Sequence, residues 1–267
     1  MPGIKEHVIK FLEKYSEVAR RKNFYTLRKF GLYLKSRNLS INEVAASDIE
    51  DYILEQRQKG LADSTIRKEI MLLRAFFDYL MERGIVKSNP ARKIKAPREK
   101  EGAPKYLTRK EVRRMLEVSR EYSKRDHAII ALLYFGALRE GELARIMEVD
   151  WENMKIRILS EKTDEEQLIT MNKPLAEALK DVDLNEITSL HPNTIRKIVK
   201  KYAKLAGIKK RVYPHILRHS HATHSLKMGV DIRTVQKALR HKSIRSTMRY
   251  LHVIDEDIKE AVRKLEF

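Results

Sequence analysis

Through the first ninety positions, hydrophobic residues recur at spacings of three and four. Ile4, Val8, Leu12, Tyr15 and Val18 form one apolar stripe, the pattern of a helix with a single buried side. "TLRKFGLYLKSR" continues as a second, short helix. Ser47 is placed as the cap of a third, "DIEDYILEQRQKG", which Gly60 ends. In "DSTIRKEIMLLRAFFDYLMERG", Ile66, Ile70, Leu73, Phe77 and Leu80 fall on one side of a fourth helix. Arg67 and Arg74 share a face of that helix and are weak candidates for meeting phosphates, since exposed helical arginines are more often simply solvated. The period is then lost. "KSNPARKIKAPREKEGAPKYLT" holds three prolines and seven basic residues and reads as an extended basic linker.

After the linker, Thr108 and Glu111 have the spacing of a capping box at the start of "TRKEVRRMLEVSREY". "HAIIALLYFGAL" is apolar enough to be a buried helix. "VDWENMKIRILSEKTDEEQLITM" alternates as strands do, with the acidic "EKTDEE" as the turn between two arms. Helical patterning resumes after Met171 and is punctuated by Gly207, Pro214 and Gly229. The expected fold is mainly α with a small antiparallel β-sheet in the C-terminal domain. Residues 1–90 form a helical domain, 91–105 a basic linker, and 106–267 a second, mainly helical domain that carries the sheet.

No apolar run approaches the roughly 18 residues needed to cross a bilayer, and "MPGIKEHVIKFLEKY" mixes charge into its apolar positions, unlike a signal peptide. A cytoplasmic protein without a membrane partner is the default. The absence of cysteine excludes disulfides, thiolate catalysis and Cys-based zinc sites. The formal charge of +19 changes the picture most, because it is concentrated: residues 191–254 hold 16 Lys/Arg, a single acid, Asp231, and seven of the nine histidines. A merely solvated face interleaves both signs, so this one-sided block points to a polyanion, most commonly nucleic acid, with an anionic membrane surface the weaker alternative.

Four stretches in that second domain carry candidate chemistry. "FGALREGELARI" puts Arg139 directly after an apolar run, where it must pair with a carboxylate such as Glu140 or Glu142, or meet a bound anion. In "PHILRHSHATHSL", His215, Arg218 and His219 lie on one side of a helix. Histidines four apart also suit a metal, but Arg218 between them and the scarcity of carboxylates disfavour a dication, so no metal and no cofactor is expected. "LRHKSIRSTMRYLHV" sets His241 and a lone phenol, Tyr250, among basic and hydroxyl residues. Tyrosine, with a pKa near 10, is a poor nucleophile alone. Arginines with histidine donors would favour its phenolate and stabilise the charge that develops when it attacks a phosphodiester. Lys162, in the turn "SEKTDEEQ", is a candidate proton donor to the leaving oxygen, although turn lysines are usually only solvated.

At these residues the chain resembles the tyrosine recombinases, the lambda-integrase family. "HILRHSHATH" is similar to the family's H-x-L-R-H-S-x-A-T-H box, "VQKALRHKSIRSTMRYLHV" to its ending V-Q-x-x-L-G-H-x-S-I-x-T-T-x-x-Y-x-H-V, and "GALREGEL" to G-L-R-x-x-E-L. "LADSTIRKEIMLLRAFFDYLMERGIVKSNPA" resembles the family's helical core-binding domain, so the likeness spans essentially the whole chain, nearest to the Xer recombinases that resolve chromosome dimers. It implies Tyr250 as nucleophile, Arg139 and Arg218 on the scissile phosphate, His215 managing the tyrosine proton, His241 donating to a phosphate oxygen, and Lys162 protonating the leaving oxygen. It implies a two-domain clamp on double-stranded DNA at a specific recombination site. Four protomers would exchange strands through a 3′-phosphotyrosine and a Holliday junction, in chromosome partition and the cell cycle, with an accessory translocase as a possible partner. The terminal "DEDIKEAVRKLEF", with Ile258, Val262 and Leu265 on one side, would dock on a neighbouring protomer.

Three departures stand out: the hairpin is acidic where the family's is glycine-rich and basic, Arg240 stands where glycine is common, and Ala137 rather than glycine precedes Leu138. The rival readings are a mobile-element integrase, which the lack of a further N-terminal arm-binding domain disfavours, a type IB topoisomerase-like enzyme, and a non-catalytic DNA-binding protein.

Overall fold

The computed structural model describes residues 4–98, 104–160 and 164–251, with 253 and 263. The terminal stripe of Ile258, Val262 and Leu265 lies outside the described residues. The chain divides into two compact units, Met1–Lys100 and Glu101–Phe267.

The first unit packs helices α1 (Ile4–Leu12), α2 (Glu17–Ser36), α3 (Ala46–Gln58) and α4 (Asp63–Glu82) around one core. The α4 stripe is as its spacing requires: Ile66, Ile70, Leu73, Phe77 and Leu80 are all buried. The first stripe is shorter than expected. The first helix ends at Leu12 and α2 begins afresh at Glu17, after an extended Ser16, as a 20-residue helix, and Val18 is 80% exposed. Helix α3 is capped two residues earlier than Ser47 suggests, at Ala45. Asp48 accepts a hydrogen bond from the Ala45 N–H at 2.8 Å, leaving Ser47 inside the first turn.

Residues 91–94, expected to open the linker, are packed chain. The Asn89 side chain accepts from the Ala91 N–H at 2.9 Å and starts a 3₁₀ turn, Pro90–Lys93, which buries Ala91 and Ile94 in the first core. Arg74 donates to the Ala91 carbonyl at 3.1 Å and to that of Ile94, and Arg67 donates to the Pro97 carbonyl at 2.9 Å. Both arginines therefore hold the chain's own backbone and are not merely solvated.

The second unit opens with α5 (Arg109–Tyr122), closed by the Thr108–Glu111 capping box: the Thr108 hydroxyl accepts from the Glu111 N–H at 3.2 Å and Glu111 accepts from the Thr108 N–H at 2.7 Å. The apolar run forms α6 (Lys124–Tyr134), with Ala128 to Leu133 fully buried. A short α7 (Glu140–Leu143) precedes an antiparallel meander of β1 (Ile146–Asp150), β2 (Lys155–Leu159) and β3 (Glu166–Thr170). Asp150 pairs with Lys155 across the first turn, and Leu159 with Glu166 across the second. Ile156, Ile158 and Ile169 turn inward. Strand β1 begins three residues before the alternation is visible, because its register shifts between Ile146 and Glu148 and breaks the two-residue period. Helices α8 (Lys173–Leu179), α9 (Asn185–Thr188), α10 (Pro192–Leu205), α11 (Pro214–Lys227), α12 (Ile232–Ala238) and α13 (Arg245–Met248) complete the unit. A satellite cluster of Ala137, Ala222, Leu226, Val235, Leu239 and Tyr250 joins the α6–α7 loop to α11 and α12. Among the described residues no helix is long and apolar enough to cross a membrane.

Candidate active site

Helix α11 starts at Pro214, whose missing N–H is no loss at a first helical position, and it presents His215, Arg218 and His219 on one side. Arg218 is almost wholly buried. It donates to the carbonyls of Ala137 and Leu239 and so ties the α6–α7 loop to the α12–α13 loop. Its pKa falls to about 9, first through desolvation and then through Arg139 and Arg240.

The carboxylate that answers these arginines is Glu142, fully buried on α7. Glu142 accepts from the Arg139 N–H at 2.8 Å, from the Arg139 guanidinium, and from Arg240 at 2.9 Å; Arg218 stands 3.8 Å away. Desolvation raises the Glu142 carboxyl, but Arg240, the Arg139 N–H, Arg139 and Arg218 outweigh it and hold the group below the usual carboxylate range. Three guanidiniums against one carboxylate leave two positive charges in excess in a buried place, the electrostatics of an anion site. Glu140 is not part of this cluster; it pairs with Arg196. Glu142→Gln is expected to destabilise the second unit by about 3–5 kcal/mol, because it strips the counter-charge from three closely packed cations. Thermal unfolding measures this, and an unchanged midpoint would show that the arginines do not depend on Glu142.

Tyr250 is 1% exposed, and its hydroxyl lies 2.7 Å from Nδ1 of His219. Burial raises the phenol above its ordinary value against the opposing pull of Arg218, Arg249 and Arg139. Desolvation, then His215, Arg249 and Arg218, drops His219 to about 4. With both groups uncharged, the phenol donates to Nδ1 and the ring proton sits on Nε2. His215 stacks edge-on against His219, with ring centroids 5.6 Å apart. It is open to solvent, yet desolvation, then Arg218 and Arg139, lower its pKa. The ring beside the phenol is thus His219, one helical turn beyond His215.

His241 is held from two directions. Its Nδ1 lies 2.9 Å from the buried Thr247 hydroxyl, and its backbone exchanges hydrogen bonds with Gln236 at 3.0 and 3.1 Å. Its pKa falls to about 3 through desolvation and then Arg218 and Arg139. Arg139, His215, Arg218, His241 and Tyr250 therefore belong to one electrostatic cluster. Lys162 lies outside the described residues. On either side of it, the Ser160 carbonyl and Asp164 are both bound by Arg145, which anchors the base of the hairpin. Sequence reasoning offered Glu142 to Arg139 alone, named His219 and Arg240 without a role in the site, and passed over Thr247. The i, i+3 spacing of Arg139 and Glu142 and the shared face of His215 and His219 were the available signals for the first two. Among the described residues no three His, Asp or Glu side chains are grouped closely enough to hold a metal ion.

Residues 105–257 match the description "Phage integrase family" and residues 7–84 "Phage integrase, N-terminal SAM-like domain". The chain is 33% identical over 258 residues to a tyrosine recombinase of Pseudothermotoga lettingae, covering 90% of this chain and 88% of that one. It is 31% identical to tyrosine recombinase XerA of Thermococcus onnurineus, covering 99% and 96%. In fold it is similar to the XerH site-specific recombinase bound to palindromic difH substrate (TM-score 0.78, 20% identity, 94% of this chain and 80% of that one). It is similar also to a lambda integrase dimer bound to a COC′ core site (TM-score 0.75, 16% identity, 92% of both). The chain belongs to the phage integrase family of tyrosine recombinases. It is a site-specific recombinase of the Xer-like kind.

Proposed function

We propose that the chain cuts and rejoins double-stranded DNA at a specific site through a covalent 3′-phosphotyrosine, and that it resolves chromosome dimers before segregation. One observation carries the reading: a buried phenol hydrogen-bonded to a neutral imidazole shares an electrostatic cluster with an excess of guanidinium charge. A phosphodiester is the anion that arrangement suits. Arg139 and Arg218 grip the non-bridging oxygens and His241 donates from Nε2, the nitrogen its Thr247 contact leaves outward. The Tyr250 oxygen attacks phosphorus while its proton passes to the His219–His215 pair. The bond to the 5′ oxygen breaks, and Lys162 protonates that leaving oxygen. The phosphotyrosine conserves the energy of the broken bond, so a 5′ hydroxyl from a second duplex restores the strand by the reverse route without ATP.

The relatives named XerA and XerC support the chromosomal role, and the neighbours solved on recombination sites support DNA as the partner. Four protomers in a synaptic complex, joined through the C-terminal segment 255–267, complete the proposal, with the reaction placed in the cytoplasm. Incubating the protein with nicked fragments of its source genome is expected to give SDS-resistant adducts on the 3′ phosphate, and sequencing the trapped DNA identifies the site. Binding to every fragment without an adduct would favour a non-catalytic DNA-binding protein. Relaxed rather than recombinant products would favour topoisomerase-like chemistry.

A further inference from the structure

Arg240 stands where the family's box commonly has glycine, and the position explains the preference. Its backbone is in the left-handed region at φ 51°, a conformation that glycine adopts freely and other residues adopt at a cost. The side chain adds a second cost, since its charge is only 8% exposed and its Nε has no hydrogen-bond partner. A strained backbone and a buried cation kept together call for a compensating role.

That role is visible in what the guanidinium touches. Arg240 donates to Glu142 at 2.9 Å, to the Ala137 carbonyl at 3.0 Å, to the Ala238 carbonyl at 3.0 Å and, more weakly, to the Gly136 carbonyl at 3.4 Å. Two of these acceptors are the ones the phosphate-gripping arginines lean on. Arg218 also donates to the Ala137 carbonyl, and Arg139 also donates to Glu142. The loop that receives these bonds is closely packed at Gly136, where a Cβ would meet the Leu138 side chain at 2.5 Å and the Leu132 carbonyl at 2.8 Å.

We propose that Arg240 is a positioning residue of the strand-cleavage reaction: as second donor to the Ala137 carbonyl and to Glu142, it keeps both buried acceptors satisfied when Arg139 and Arg218 turn their donors to the scissile phosphate. Without it, each hydrogen bond that an arginine makes to the phosphate leaves a buried carbonyl or carboxylate short of a partner, and the transition state carries that loss. The inference rests on the reading of Arg139 and Arg218 as phosphate ligands.

The test uses the full chain and a nicked DNA carrying the site recovered by trapping, with single-turnover adduct formation, DNA binding and thermal unfolding measured in parallel. Arg240→Gly, which relieves the backbone strain, is expected to fold and to bind DNA. Its cleavage should be slower by about 10- to 100-fold, the rate equivalent of one buried acceptor left short of a partner in the transition state. Millimolar guanidinium ion should restore much of that rate, and Arg240→Lys, which keeps the charge but not the fork, should fall between the two. Cleavage by Arg240→Gly at the wild-type rate would overturn the proposal. So would a rate loss that tracks lost thermal stability in both variants and does not respond to guanidinium ion. Failure of the wild-type protein to form an adduct would instead overturn the recombinase reading itself, so the two failures are distinct.

Discussion

Tyr250→Phe is expected to form no covalent adduct with DNA while keeping its fold and its ability to bind. The aromatic ring packs against Ala222, Leu226, Val235 and Leu239 in a small cluster, and phenylalanine fills the same space. What is lost is the hydroxyl, and with it both the attacking oxygen and the 2.7 Å hydrogen bond to His219. A buried imidazole nitrogen left without a partner costs about 1–3 kcal/mol, so the thermal midpoint drops modestly while strand cleavage disappears. Trapping on the recovered site, with binding measured in parallel, separates these effects. An adduct formed by the Phe variant would place the nucleophile elsewhere in the chain.

The second large effect is acid sensitivity of the second unit. His219, His221 and His224 are each held at about 4 and His241 at about 3, in every case chiefly by desolvation, with Arg218 adding to the effect on His219, His221 and His241. In the unfolded chain each titrates near 6.5. The folded state thus binds fewer protons than the unfolded state between these values, so the stability tied to neutral imidazole is full above about pH 6.5 and is lost as the pH falls toward about 4. A fully enclosed ring held at about 4 accounts for at most about 3 kcal/mol when that loss is complete, at about 1.4 kcal/mol per pKa unit, and the half-buried His219 and His221 for less. That is a large part of the roughly 5–15 kcal/mol typical of a domain. Glu142 acts in the same direction but lower, since a depressed carboxylate loses its contribution only as the pH falls below its unfolded value, about 4.3. Calorimetry from pH 7 to pH 5 should therefore show a steep fall in midpoint, with proton uptake on unfolding. A flat profile would mean that these histidines are not held neutral.

The buried sides of α4 and α6 and the cap of α5 were legible in the sequence because each depends on residues within a few positions of one another. The boxes around Arg139, His215, Arg218, His241 and Tyr250 were legible for a different reason: the order and spacing of chemically unusual residues survive without knowledge of the fold. What stayed hidden was the wiring between boxes. Arg240 reaches the carbonyls of Gly136 and Ala137 across about a hundred positions, and His219 meets Tyr250 thirty-one residues later. Helical spacing places Arg218 and His219 on one face but says nothing of which loop will close over it. Val18 was misread for the opposite reason: a stripe can continue in the sequence past the residue, Leu12, at which the helix has already ended.

The bonds from Arg67 and Arg74 to residues 91–97 determine where the polypeptide can be divided. A fragment ending at residue 90 would discard Ala91 and Ile94 from an apolar interior and leave two guanidiniums facing the gap. One ending just after Pro97 would carry every clasp with it. The severable joint between the halves of this recombinase thus begins beyond Pro97, well past the last turn of the helical pattern.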